Sequence, residues 1–342
     1  MKMTPNLCFD DVLIVPQYSD IQSRSEIDIS NDLGDLRLNL PVLSAPMDSV
    51  TESSMVSAMA THGGLGIIHR YNTIKRQVKI ANKANTPIMA AAVGVTGDYL
   101  DRTRALCNAG VKIICVDVAH GHHVLMRHAL EVLRNTFGTQ ITIIAGNVAT
   151  LQAFNDLSDW GADAVRVGIG GGSICSTRIQ TGHGVPTLQS VIDCSASDRP
   201  AKLIADGGIK NSGDIVKAYA AGADFVMIGS MIAGTTETPG DIRYKQMPGE
   251  VNPARIKVYR GMASEDAQKD WRGRSSSVEG VATTVRYKGH VGTVLKTIER
   301  GVKSGFSYSG ARSFSEFQAK ANLIRQTASS QVESSTHIQG IS

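Results

Sequence analysis

Short, unbroken apolar runs recur along the chain, spaced so that one helix fits between each pair. Eight have strand length: residues 40–47, 64–70, 87–94, 111–118, 141–148, 164–170, 201–208 and 225–230. A strand with one wet face alternates apolar and polar positions. A parallel strand covered on both faces reads as a continuous run. Between the runs, segments such as TESSMVSAMATHG, TIKRQVKIANKAN, HVLMRHALEVLRNTFG and SGDIVKAYAAGA place apolar residues at helical spacing. Eight successive βα units predict a closed (β/α)8 TIM barrel in preference to an open doubly wound sheet.

Polar residues and glycines gather where the runs end: Met47-Asp48, His69-Arg70, Asp117, Asn147, Gly168 to Ser173, Asp206-Gly207-Gly208 and Gly229-Ser230. In such a barrel those ends converge on one face, where active sites are built. Two stretches break the rhythm: GGSICSTRIQTGHGVPT after the sixth run, and residues 232–290 after the eighth. Long loops on a compact scaffold are commonly functional. Residues 1–327 are expected to form one barrel domain, and 328–342 a flexible tail by composition.

The net charge of +4 is too small and dispersed for a nucleic-acid binder, so no nucleic-acid partner is expected. No apolar run reaches the roughly 18 residues of a membrane span, and the first residues lack a signal-peptide pattern, so no membrane partner is expected either. Five cysteines without paired spacing fit a reducing, cytoplasmic setting.

The segment GIGGGSICSTR (168–178) concentrates chemistry. Its glycines let amides converge on a phosphate, or carbonyls on a cation. Ser173 adds a hydroxyl, and Cys175 in a polar loop near Arg178 suits a nucleophilic thiolate. A glycine-rich turn with an inert thiol is the alternative. The HGHH run (120–123) invites a metal reading, but no cysteine or carboxylate partner lies at ligand spacing. Its expected reading is His120 on the cofactor side of the mouth, with His122 and His123 solvated.

Together with FDDVLIVP (9–16), SAPMDSVTE (44–52), GNVAT (146–150), ADGGIKNSGDI (205–215), MIGSMIAGTTETPG (227–240) and YRGMAS (259–264), this segment resembles the IMP dehydrogenase and GMP reductase family. The resemblance implies a barrel that binds a purine nucleotide, attacks carbon 2 with a loop cysteine and moves a hydride to or from a nicotinamide. It implies Cys175, Thr177 and Glu279 as the catalytic residues, the last two handling protons. It gives Ser173, Gly208, Gly229, Ser230 and Tyr259 to the substrate's phosphate, Asp206 to the ribose, Met47, Met262 and Ala263 to the base, and Gly207 and Gly261 to the substrate site as well. For the cofactor, NADPH, it implies Arg70, Asp117, Val118, Ala119 and Asn147, joined by Ser23 and Arg24, and by Ser304, Gly305, Phe306 and Ser307. Carbonyls at Gly170, Gly172, Cys175 and Arg178 would hold a monovalent cation, potassium. Gly171 stands where the family usually has proline. Relatives are homotetramers, and Ser23-Arg24 would reach a neighbouring subunit's cofactor.

The two family activities share a covalent intermediate. The dehydrogenase must hydrolyse it, with water activated by an Arg-Tyr pair on a flap. The reductase needs no such flap. Here Glu279 follows Met262 by only 17 positions, and the segment carries Arg272 and Arg274 but no Arg-Tyr pair. The regulatory CBS insertion common in dehydrogenases is absent. SRSEID (23–28) and KSGFSYSGA resemble reductases, whereas SAPMD, YRGM and TPGDI resemble dehydrogenases. The expected function is NADPH-dependent reductive deamination of GMP to IMP. The alternatives are an NAD-dependent IMP dehydrogenase without CBS domains and a non-catalytic purine-nucleotide-binding barrel.

Overall fold

The computed structural model describes residues 5–273 and 279–334. The eight apolar runs become the eight strands of a closed parallel barrel: β1 Val42–Ser44, β2 Leu65–Ile68, β3 Ala90–Val93, β4 Ile113–Asp117, β5 Thr142–Val148, β6 Ala164–Val167, β7 Lys202–Asp206 and β8 Phe225–Ile228. Each strand pairs with the next. The ring closes where Val226, Met227 and Ile228 stand opposite Val42, Leu43 and Ser44. The fold is therefore the (β/α)8 barrel.

Burial on both strand faces explains the unbroken runs. Along β4, Ile113 and Cys115 point into the barrel with Leu43, Ile67, Ile144, Phe225 and Met227. Ile114 and Val116 face outward, onto the layer formed by the surrounding helices. Helices restart after the strands at residues suited to capping. Thr73 accepts from the amide of Arg76 at α2 (Ile74–Lys83), Thr150 from Ala153 at α5 (Leu151–Asp159), and Asn211 from Asp214 at α8 (Ser212–Ala220). A side-chain oxygen at that position satisfies one of the first-turn amides.

Three features were not apparent in the pattern of runs. A hairpin of Asn31–Leu33 and Leu36–Leu38 sends Leu33 and Leu38 into the barrel's interior cluster and plugs its lower end. Residues Val12–Ile14 pair antiparallel with Leu323–Arg325. The stretch 232–290 is largely structured: β9 (Arg243–Lys245), β10 (Ala254–Arg260) and β11 (Ala282–Arg286) form an antiparallel sheet, with helix α9 (Glu265–Arg272) between its last two strands. Within the expected tail, Ala328–Glu333 is helical. No described helix is long and apolar enough to cross a membrane.

Candidate active site

A cavity of about 270 Å³ opens at the carboxyl ends of the barrel strands. Two glycines of the loop after β6 show why the chain needs them there. Gly168 has φ +148°, and a Cβ would stand 1.9 Å from the carbonyl oxygen of Asp206. A Cβ on Gly171 would stand 2.3 Å from Oγ1 of Thr187, so with Thr187 placed as it is the loop packs flat against the start of α7 (Thr187–Cys194), while at Gly168 the close approach to β7 requires glycine.

This loop carries the nucleophile candidate. Cys175 pairs with Gly280 as an isolated bridge, Ser176 donates its amide to the carbonyl of Glu279 at 3.1 Å, and Val281 donates to that of Ile174 at 3.0 Å. These bonds bring the segment entering β11 against the cysteine loop. Cys175 Sγ lies 3.1 Å from Thr177 Oγ1, which donates to Glu279 Oε2 at 3.0 Å. The half-buried thiol, the hydroxyl and the carboxylate thus stand in line. Cys115 and Cys194, by contrast, are buried thiols whose pKa burial pushes up to about 12, so they are inert.

On one side the cavity offers small groups and amides. Ser173 Oγ is 3.3 Å from the hydroxyl of Tyr259. That phenol sits on β10, and burial raises its pKa although Ser173 works against the shift. Gly229 packs beneath the same hydroxyl and beside the sulfur of Met47. Gly207, Gly208, Ser230, Gly261, Met262 and Ala263 complete this part of the lining, so every residue expected to bind substrate faces the cavity.

Charge occupies the other side. Arg166 on β6, only 6% exposed, donates to Asp117 Oδ1 at 2.5 Å and to Asp206 Oδ2 at 2.8 Å. Burial opposes its charge, but Asp206, Cys115 and Asp117 more than offset that, and its pKa lies well above the ordinary value. Asn147 adds a 2.8 Å bond to Asp206 Oδ2. Among the described residues, every hydrogen bond to the Asp206 carboxylate falls on Oδ2, which leaves Oδ1 for hydroxyl donors. Arg70 donates to the carbonyl of Asp117 at 3.1 Å and lies 5.0 Å from the ring centre of Tyr71 and 5.8 Å from that of Trp271. Val118 and Ala119 line the same wall.

Other expected residues lie elsewhere. Ser23 caps the short 3-10 turn Arg24–Glu26, which contacts α10 (Val291–Tyr308) and not the cavity. Ser304, Gly305, Phe306 and Ser307 on α10 do not line it either. Phe306 is instead a core side chain, stacked 4.1 Å from Phe317. Arg274 lies outside the described residues. His122 is not simply solvated: it bonds Asp156 at 2.8 Å and stacks on Trp160, while His123 caps α4 (Val124–Phe137) and His120 is exposed. Among the described residues no group of three or more His, Cys, Asp or Glu side chains could hold a metal ion. Of the four backbone positions expected at a cation, Gly170, Gly172 and Cys175 line the cavity and Arg178 does not. The carbonyls of Gly172 and Arg178 accept amides from Cys175 and Gly182. Each keeps a second lone pair, and neutral carbonyl donors suit a weakly held monovalent ion.

A family model for the IMP dehydrogenase / GMP reductase domain matches residues 6–337. The chain belongs to the IMP dehydrogenase / GMP reductase family. It is 34% identical to the inosine-5'-monophosphate dehydrogenase of Nitrosopumilus maritimus, with 98% of this chain and 99% of that protein covered. It is 29% identical to the GMP reductase of Leishmania major, covering 97% and 96%. A crystal structure of a GMP reductase variant from Trypanosoma brucei in complex with guanosine 5'-monophosphate superposes with a TM-score of 0.92, at 28% identity over 98% of each chain. This family chain is thus an oxidoreductase whose relatives use a nicotinamide cofactor.

Arg166, Tyr71 and Trp271 escaped the sequence reading. A lone arginine inside an otherwise apolar strand run was the available signal for the first. The two aromatics, 4.7 Å apart between ring centres, meet only through the fold.

Proposed function

We propose that the protein is a GMP reductase, converting GMP, NADPH and a proton into IMP, ammonia and NADP+ through a thioimidate on Cys175. The observation that carries this reading is the line Cys175–Thr177–Glu279, in a chain whose 262–279 segment contains no tyrosine. Attack of the thiolate on carbon 2 forms a carbon–sulfur bond and breaks the bond to the amino nitrogen. Thr177, able to accept from the thiol while donating to Glu279, passes the thiol proton to the carboxylate. Glu279 returns it by the same route to the departing nitrogen, which leaves as ammonia. A reduced nicotinamide, when bound, supplies the hydride that replaces sulfur at carbon 2. The thiolate then leaves and recovers a proton from solution.

Asp206, with Oδ2 engaged by Arg166 and Asn147, offers Oδ1 to the ribose hydroxyls. Ser173, Tyr259, Gly208, Gly229 and Ser230 take the phosphate, and Met47, Met262 and Ala263 border the base. Arg70 and Asp117 face the cofactor. Ser23, Arg24, Ser304 and Ser307 stand outside their own cavity, so this reading gives them to a neighbour's cofactor in a homotetramer, whereas Phe306 is core and Gly305 packs on Val216. The carbonyls of Gly170, Gly172, Cys175 and Arg178 would hold potassium, which would stiffen the cysteine loop. The free cysteines suit a cytoplasmic enzyme.

A second reading, an IMP dehydrogenase, draws on identity: relatives so named reach 34% and 36%, the reductases 29% and 28%. Following the near-ultraviolet absorbance of the nicotinamide decides between them. GMP-dependent loss of NADPH supports the reductase, whereas IMP-dependent reduction of NAD overturns it. Tight GMP binding without either reaction would leave a binding protein.

A further inference from the structure

Two lysines of the covering sheet grip the backbone that leaves β8. Lys288, just beyond β11, donates from Nζ to the carbonyls of Ser230 at 2.7 Å and Met231 at 3.1 Å. Lys257 on β10, 3% exposed, donates to those of Thr235 at 3.1 Å, Thr238 at 2.5 Å and, more distantly, Thr236. Desolvation draws both ammonium pKa values downward; around the buried Lys257 the carbonyl oxygens stand in for lost water, while Lys288 stays exposed to solvent along its side chain.

The consequence lies on the opposite side of those peptides. The carbonyl of Gly229 accepts from the amides of Ile232 at 3.2 Å and Ala233 at 2.9 Å, closing one helical turn whose open amino end holds the amides of Ser230 and Met231. In a trans peptide the C=O and N–H point opposite ways. The Ser230 carbonyl, turned out to Lys288, therefore directs the Met231 amide away from the lysine, to the side on which Gly229 and Ser230 line the cavity. An ammonium on the carbonyls polarises the peptides and sets a full positive charge behind the turn. Amides so arranged favour an anion.

We infer that Lys288 is a positioning residue for the nucleotide phosphate: it orients and charges the Gly229–Met231 turn without touching the ligand. The inference rests on reading the cavity as a purine mononucleotide site.

Binding of GMP, guanosine and inorganic phosphate to the full-length protein tests it, with turnover at saturating GMP measured in parallel. Lys288→Met is expected to weaken GMP about tenfold, the scale of one charge-assisted interaction, and to weaken phosphate likewise. Guanosine affinity and kcat should stay within about twofold, and Lys288→Arg should recover most of the loss. Equal weakening of GMP and guanosine, or unchanged GMP affinity, would overturn the inference. If Lys288→Met fails to fold, Lys288→Gln carries the same comparison. A wild-type protein that binds phosphate but no purine nucleotide would refute the functional reading, and the turn is then judged on phosphate alone.

Discussion

Thr177 and Glu279 are 102 positions apart in the chain and share a 3.0 Å hydrogen bond in the fold. The bond depends on the backbone ladder that ties residues 279–281 to residues 174–176. A hydroxyl alone is a poor proton acceptor at neutral pH, and the carboxylate behind it supplies the missing basicity. Glu279→Gln keeps the shape and removes the charge. It should lower kcat by roughly 10²–10³-fold while GMP affinity changes by less than about threefold. Thr177→Val should do the same, and Cys175→Ala should abolish turnover with GMP still bound. Steady-state kinetics and equilibrium binding on one preparation check all three, and substantial turnover in Cys175→Ala would sink the covalent route.

Arg166 holds two carboxylates in a buried setting, so its removal leaves Asp117 and Asp206 desolvated and facing each other. Arg166→Met should destabilise the protein by about 3–5 kcal/mol, the usual cost of breaking a buried ion pair from one side. Urea unfolding measures this. A variant as stable as wild type at neutral pH would show that the triad contributes nothing net.

Gly171 and Thr187 compete for one volume. Gly171→Ala should reduce kcat/KM by about tenfold or more, because the new methyl displaces the loop that carries Ser173 and Cys175. The Thr187 hydroxyl is buried without a hydrogen-bond partner among the described residues, so Thr187→Ala should be tolerated and should restore much of the loss in the double variant. A double-mutant cycle reads the coupling, and additive effects would refute the shared volume.

Arg24 lies outside its own cavity but belongs to a segment resembling a cofactor contact. If a neighbouring subunit uses it, NADPH should be preferred over NADH. Arg24→Ala should then raise the KM for NADPH about tenfold with little effect on NADH. Activity followed beside sedimentation through a dilution series should fall as subunits separate. A fully active monomer, or equal efficiency with the two cofactors, would refute the arrangement.

The barrel was legible because its strands are covered on both faces, so each prints an unbroken apolar run into the sequence. The hairpin at residues 31–38 was not. It has three-residue strands, and only Leu33 and Leu38 mark its buried side. Strand β10 was hidden for a related reason: Arg255, Lys257 and Arg260 give ARIKVYR the look of a solvated loop, although Lys257 is buried by carbonyls that the sequence cannot display. The cysteine loop and strand-end residues were legible as chemistry because they sit at consecutive run ends. Arg166 looks in the sequence like one more strand position, since its role depends on two carboxylates 49 and 40 positions away.

The antiparallel pairing of Val12–Ile14 with Leu323–Arg325 has a consequence for how the protein is made. During synthesis, Val12 to Ile14 leave the ribosome long before their partners exist. At roughly 5–20 residues per second, the wait lasts about 15–60 s. Strand β1 has a similar delay on its β8 side, since Val42 cannot meet Val226 until most of the chain has emerged. Throughout that interval the nascent chain presents bare sheet edges, which are templates for mispairing. Closure is thus a late event in synthesis, and protecting those edges falls to whatever meets the chain at the ribosome exit.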